Sequence, residues 1–457
     1  MTKHSCMVLN FGFEIKRAPP YDEVVQPDNK NKRKVLLFMK FKQSDKQNQR
    51  IERISTNHLI IGIDIAKYTH VARATDYRGI ERGSYLAFSN DFEGYEKLLH
   101  WMKSLMFEFN KTDVIVGVEP TGHYWLNLAF WLKEKQLELV LVNPFQVKRN
   151  KENRDNSPTK NDIKDALVIA DMVKNGYYSE VYFASEQFRA LRVLVTSRES
   201  LVKQVAGVIN KIHRWTDMYF PEFHHVFKDP KSKTALATLV EFPHPSDICQ
   251  LTVENIREGW KKHLKRNGAR STAAALIQAA KQSSALPGCE DEAKLSITLL
   301  MQQLDLFNEQ LAQLEEKLES LIQCIPTSKS LLTIKGINTV TLATLYSEAG
   351  DFSRLDHGNQ MLRLAGLHLS ENSSGKHKGE VKLTKRGRPG LRKVLYQAVF
   401  QMVSVNPEFK ALHQYNKQIK KMKGMKSLLK LCGKLARMLV AMAKGNIAYD
   451  MEKVRIA

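Results

Sequence analysis

The stretch from His58 to Lys67, HLIIGIDIAK, limits what this chain can fold into more than any other. Leu59, Ile60, Ile61, Ile63 and Ile65 are large aliphatics that do not simply alternate with polar residues. A strand of that kind is buried on both faces, which calls for layers of structure above and below a sheet. One carboxylate, Asp64, is set into the end of the run. A charge in such a place is costly unless something pairs with it, and a bound cation is the most economical partner.

The segments that follow alternate between strand and helix. The pattern predicts an antiparallel hairpin from 70–76, a turn at Tyr77-Arg78-Gly79 and 81–88, then an amphipathic helix over 92–106. A second buried strand, DVIVGVEP, spans 113–120, followed by a helix over 124–135, a strand over 137–144 and a helix over 161–174. A hairpin joined to strand-helix repeats is an α/β layer architecture with a mixed sheet. Within it Glu119 closes the second buried strand, and Asp162 and Asp165 lie in KNDIKDA, one turn apart on one helical face. Each acid has a structural reading of its own. Asp162 and Asp165 suit a helix dipole, and Glu119-Pro120 suits a strand exit. Together with Asp64, however, they come from three separate elements, which is how a fold builds a divalent metal site for phosphodiester chemistry.

Beyond residue 186 the composition is helical. Leu191, Leu194, Leu201, Val205, Val208 and Ile212 recur at helical spacing, and Leu300, Leu304, Phe307, Leu311, Leu314, Leu318, Leu321 and Ile325 repeat every four, then three residues. That heptad predicts a coiled coil, formed as a helical hairpin within the chain that also carries dimer contacts. LLTIKGINTVTLATLYSEAG, from 331 to 350, resembles a helix-hairpin-helix whose Lys335-Gly336 turn offers backbone N–H groups to a phosphate.

The chain carries a net charge of +22, and residues 372–444 concentrate it, with eighteen Lys or Arg against Glu380 and Glu408. So one-sided an excess points to nucleic-acid backbone, with Lys376, Lys378, Lys382, Lys385, Arg386, Arg388, Arg392 and Lys393 as contact candidates beside Lys335. Ser374, in Ser373-Ser374-Gly375, precedes them and reads either as a linker residue or as a nucleophile among cations. The five cysteines are scattered without metal-ligand spacing, and no apolar run is long enough to span a bilayer, so the expected location is cytoplasmic, without membrane partners. Residues 1–57, rich in Pro, Asn, Gln and charge, read as a mobile N-terminal extension.

IGIDIAK, VEPTGHYW, KNDIKDA, AGLHLSENSSG and LTKRGRPGLRKVLYQA, in that order and spacing, together resemble the DEDD transposases of the insertion-sequence-110 family, which includes pilin-gene inverting recombinases. The resemblance runs from about 58 to 450. It implies a RuvC-like, ribonuclease-H-fold catalytic domain over 58–180, a helical coiled-coil region over 181–328 and a mainly α C-terminal transposase domain over 329–450. It further implies that Asp64, Glu119, Asp162 and Asp165 hold Mg²⁺ or Mn²⁺ and that Ser374 is the nucleophile. The implied partners are donor and target DNA, a noncoding bridge RNA and further copies of the chain, as a dimer or tetramer. Asn161 stands where the family often has threonine, and both neighbouring aspartates are kept. Two other functions fit parts of the sequence: a metal-dependent, junction-resolvase-like nuclease that forms no covalent intermediate, and a nucleic-acid-binding scaffold in which the acids are structural.

Overall fold

A computed structural model describes residues 45–154, 162–266, 268–370 and 381–452, and the chain divides into two units between Phe183 and Ala184. In the first unit the aliphatic run forms β1 (His58–Asp64), a central strand of a six-stranded sheet. β1 pairs antiparallel with β2 (Thr69–Thr75), and β2 pairs antiparallel with β3 (Leu86–Ser89). On its other side β1 is parallel to β4 (Asp113–Val118), which is parallel to β5 (Glu138–Val142), and a short antiparallel β6 (Tyr178–Glu180) closes that edge. The order is β3-β2-β1-β4-β5-β6.

Both faces of β1 are covered, as its composition predicts. Leu59, Ile61 and Ile63 enter a core with side chains of α2 (Phe92–Glu108) and α3 (Leu126–Glu134). Ile60 enters a second core with Ile169 and Val173 of α5 (Asp162–Lys174), to which Ile54, just past helix α1 (residues 45–52), and Val147 of α4 (Pro144–Arg154) also belong. All four β1 aliphatics are fully buried, each contributing roughly 1.5–3 kcal/mol.

Several local expectations change. The mobile extension expected over 1–57 ends in ordered structure: α1 is helical, Gln47 Nε2 donates to Asn175 O at 3.1 Å and Arg53 pairs with Glu138 at 2.7 Å. The second arm of the hairpin is a strand only at Leu86–Ser89. Ahead of it the expected turn at Tyr77-Arg78-Gly79 is tight: Gly79 N donates to Asp76 O and Asp76 N to Ile80 O, each at 2.9 Å, while the buried Asp76 carboxylate accepts from the N–H groups of Arg78 and Ile80 and from Arg82. α4 and β6 were not anticipated, because PFQVKRNK has no apolar stripe and three residues are too few to show a period.

Among its described residues the second unit is helical apart from one short antiparallel strand pair. α6 (Glu186–Tyr219) is followed by α7 (Phe223–Val226), α8 (Lys233–Glu241), α9 (Pro245–Ile248), α10 (Val253–His263) and α11 (Arg270–Lys281), then by α12 (Glu290–Gln323). α6 and α12 lie antiparallel: Trp215 Nε1 donates to Ala293 O at 3.0 Å near one end, and Arg198 meets Glu315 at 2.6 Å toward the other. The heptad residues of α12 therefore serve a helical hairpin inside the chain. One end of the hairpin enters a core with α8, α10 and α11, around Trp260. The other end, through Leu191, Val195, Leu318 and Ile322, enters a separate core with the C-terminal helices. Leu201, Leu311 and Leu314 between the two cores are only half-buried.

The C-terminal elements are α13 (Ser328–Leu332), α14 (Thr339–Ala349), α15 (Gly358–Leu364), the two-stranded β7 (Leu369–Ser370) and β8 (Lys382–Leu383), α16 (Pro389–Val405), α17 (Pro407–Gln418) and α18 (Gly424–Gly445). Where a helix-hairpin-helix is expected, α13 and α14 are two helices joined by a turn that includes Lys335 and Gly336. Asn338 caps α14 by accepting from Thr341 N at 2.8 Å, and Gly336, at φ 101°, packs against Met402 where a side chain would collide. Among the described residues no helix is long and apolar enough to cross a membrane.

Candidate metal centre

Asp64 is the last residue of β1 and half-buried. Asp162 and Asp165 occupy the first turn of α5, the former exposed and the latter buried. What brings them to Asp64 is a close crossing of α5 over β1. At Gly62 a Cβ would lie 2.0 Å from Ala166 O and 2.5 Å from Ala170 N, so the helix backbone rests directly on the strand backbone. One carboxylate oxygen from each of Asp64, Asp162 and Asp165 then lies within 4.8 Å of the others. Like charges that close disfavour one another, and an oxygen-only donor set of this kind suits a hard divalent cation. The residues present thus fit the implied metal.

Glu119 does not join that trio. It is half-buried directly after β4, one step beyond the last parallel pair, Ile63 with Val118, which puts it beside Asp64 at the carboxyl ends of the two strands. After Asp64 the chain turns back under a buried histidine: His70 Nδ1 accepts from Ala66 N at 3.2 Å, and its ring stands edge-on to Phe88 at 5.3 Å. Burial holds the His70 imidazole below its usual range, a shift that the nearby Asn90 side chain opposes. Accepting at Nδ1 requires the neutral ring, so geometry and burial agree. Neither His70 nor Asn90 stands out in the sequence: His70 is a lone histidine that acts on a backbone N–H four residues before it, and Asn90 works through carbonyls distant in the chain.

The expected nucleophile, Ser374, and the expected nucleic-acid contacts Lys376 and Lys378 lie outside the described residues. Lys335, Lys382, Lys385, Arg386, Arg388 and Lys393 are exposed. Arg392 is half-buried and donates to Ala365 O at 2.8 Å and Lys385 O at 3.3 Å, holding the strand entrance together. Arg388 donates to Glu348 O, and Lys393 pairs with Glu199 at 3.2 Å. A count of charges along the sequence does not separate cations with structural partners from those facing solvent. Beside β7 and β8 runs a mostly apolar groove of about 810 Å³, bounded by Leu369, Val381, Met422 and Leu429 and rimmed by Lys426 and Lys430. Burial, and then the neighbouring Lys420, lower the Lys430 ammonium below its usual range.

Two family descriptions match the chain: a transposase model of the DEDD IS110 type over residues 61–221, and the transposase IS116/IS110/IS902 family over residues 328–414. The chain is 25% identical over 327 residues to a mini-circle protein of Streptomyces coelicolor assigned as transposase for IS117, covering 69% of this chain and 77% of that protein. It is 21% identical to a 42 kDa protein of insertion element IS900 from Mycobacterium paratuberculosis, over 64% of this chain and 73% of the relative. A pilin gene-inverting protein of Moraxella lacunata is 29% identical over 110 residues, 24% of this chain and 32% of that protein.

Proposed function

Since this chain belongs to the IS110 family of transposases and is an enzyme that cleaves and rejoins DNA, we propose that its chemistry is divided between a carboxylate metal site and a serine. The observation that carries this reading is the convergence of Asp64, Asp162 and Asp165 where α5 crosses β1. A central strand flanked by an antiparallel hairpin on one side and parallel strands on the other, with the acids at the strand ends, supports a RuvC-like fold for this unit. Asp64, Asp162 and Asp165, with Glu119 beside them, would hold Mg²⁺ or Mn²⁺. When bound, such an ion supplies charge neutralisation for the scissile phosphate and the leaving oxygen.

Ser374 is the proposed nucleophile. Its Oγ forms a bond to phosphorus as a bridging phosphorus–oxygen bond breaks, the serine proton passes to a base, and the departing sugar oxygen takes up a proton. Attack by a sugar hydroxyl of the partner strand reverses these steps and releases the serine. Lys335, Lys382, Lys385, Arg386 and the lysines near Ser374 would neutralise nucleic-acid backbone, a sequence-independent role that leaves the choice of site to base pairing with a bridge RNA. The reaction is excision and insertion of a mobile element by a dimer or tetramer, in which the α6–α12 hairpin carries contacts between copies and the serine and acids come from different subunits.

End-labelled cognate DNA resolved on a denaturing gel tests the division of labour. Wild type is expected to leave a covalent protein–DNA adduct; Ser374→Ala abolishes adduct and recombination, and Asp64→Asn abolishes metal-dependent strand breakage. Cleavage by Ser374→Ala at the wild-type rate would replace this mechanism with that of a metal-dependent nuclease using water.

A further inference from the structure

We propose that Asn90 is a positioning residue for the acid site, tying together the two strand exits that carry Asp64 and Glu119. The inference rests on the metal-site reading above. The β1–β4 ladder ends at Ile63 and Val118. Past that pair no strand hydrogen bonds set the spacing of the two exits, so the separation of the two carboxylates depends on what holds the loops behind them.

Asn90 does so from a third element. It occupies the bend between β3 and α2, directly before the helix cap Asp91, whose carboxylate accepts from Gly94 N at 2.8 Å. The Asn90 side-chain Nδ2 donates to Lys67 O at 3.2 Å, three residues after Asp64, and to Tyr124 O at 3.3 Å, five residues after Glu119. The Asn90 backbone N–H donates to Tyr68 O at 2.8 Å. Its Oδ1 accepts from the hydroxyl of Tyr95, on the first turn of α2. Two carbonyls require the nitrogen and a phenol can satisfy the oxygen, so only one orientation of the amide fills every position. A carboxamide is the side chain that can bridge two acceptors while its other end is held by a donor. Aspartate would turn an oxygen toward two carbonyls, and leucine would leave both of them without their donor.

Lys67 O and Tyr124 O belong to the motifs IGIDIAK and VEPTGHYW, and the residue that links them comes from neither. Outer partners that orient metal ligands typically change metal affinity by about 10- to 100-fold when removed. Mn²⁺ binding to the intact chain, followed by electron paramagnetic resonance without DNA, reads this directly. Asn90→Ala and Asn90→Asp are each expected to weaken Mn²⁺ binding roughly tenfold. Leu105→Ala, a truncation in the α2 core away from the exits, serves as a stability-matched comparison and is expected to keep wild-type Mn²⁺ affinity.

The inference is overturned if the Asn90 variants bind Mn²⁺ like wild type, or lose affinity only as far as Leu105→Ala does. That outcome is distinct from failure of the metal-site reading itself, which would appear as Asp64→Asn binding Mn²⁺ as tightly as wild type.

Discussion

Gly62→Ala is the most informative single change, because it adds one methyl where α5 rests on β1. That methyl would sit 2.0 Å from Ala166 O and 2.5 Å from Ala170 N. Both are backbone atoms that no side-chain rotation can move aside, and non-bonded contacts to carbon settle near about 3.5–4.0 Å, so α5 must retreat by roughly 1.5 Å. Overpacking of this kind costs about 1–3 kcal/mol, and a rigid backbone clash belongs at the upper end. For a unit of this size roughly 3 kcal/mol corresponds to a fall of about 6–12 °C in melting temperature. The effect on activity should be larger in proportion. Asp162 and Asp165 ride on the displaced helix while Asp64 does not, and a displacement of about 1 Å in a reacting constellation can cost on the order of 100-fold in rate. Gly117, the β4 partner of Gly62, provides the comparison. Its added methyl meets the Val173 Cγ2 at 2.4 Å and Ile169 Cγ2 at 3.3 Å, side-chain groups that can shift, so Gly117→Ala should lose less on both measures. Differential scanning fluorimetry and metal-dependent cleavage of labelled DNA decide it. If Gly62→Ala melts and cleaves like wild type, or Gly117→Ala is the more damaging, the close crossing is not what assembles the acid trio.

Three other outcomes follow from local chemistry. Burial holds His70 below its ordinary pKa, so the folded chain resists a proton that the unfolded chain accepts near pH 6.5; this contribution to stability is complete above that pH and is lost as pH falls toward the depressed value. Melting curves from pH 7.5 to 5.5 should accordingly fall less steeply for His70→Asn than for wild type, and equal slopes would discount the histidine. Burial pushes the Cys432 thiol up to about 12, whereas Cys289 and Cys324 are exposed, so iodoacetamide at pH 8 followed by peptide mass mapping should modify those two while Cys432 reacts only on unfolding. Asn338→Ala removes the cap of α14 and should cost about 1 kcal/mol in urea unfolding, with little change in acid-site metal binding.

Elements with a strong period were legible along the chain. β1 and β4 announce burial on both faces because nearly every position is aliphatic, and the heptad of α12 announces a helix that must pack along its length. Asp64, Asp162 and Asp165 could be singled out because an acid closing an apolar strand, and two acids one turn apart, conflict with or exceed what local structure needs. The partner of the heptad was less open to reading, since a seam of leucines is the same for a hairpin and for two chains. Trp215 against Ala293 and Arg198 against Glu315 settle that α12 lies antiparallel along α6.

What depended on tertiary structure was distance between elements remote in sequence. That Asp162 and Asp165 reach Asp64 while Glu119 stands beside the trio follows from the angle of α5 and its contact at Gly62, and neither is encoded in the spacing of acids along the chain. Asn90 carries no signal of its own, being a polar residue before a helix cap, and its meaning comes only from the two carbonyls it joins. Periodicity is a property of neighbours in sequence and can be read there; the registry of a helix over a strand depends on which backbones can approach each other, and that is decided only when the layers pack.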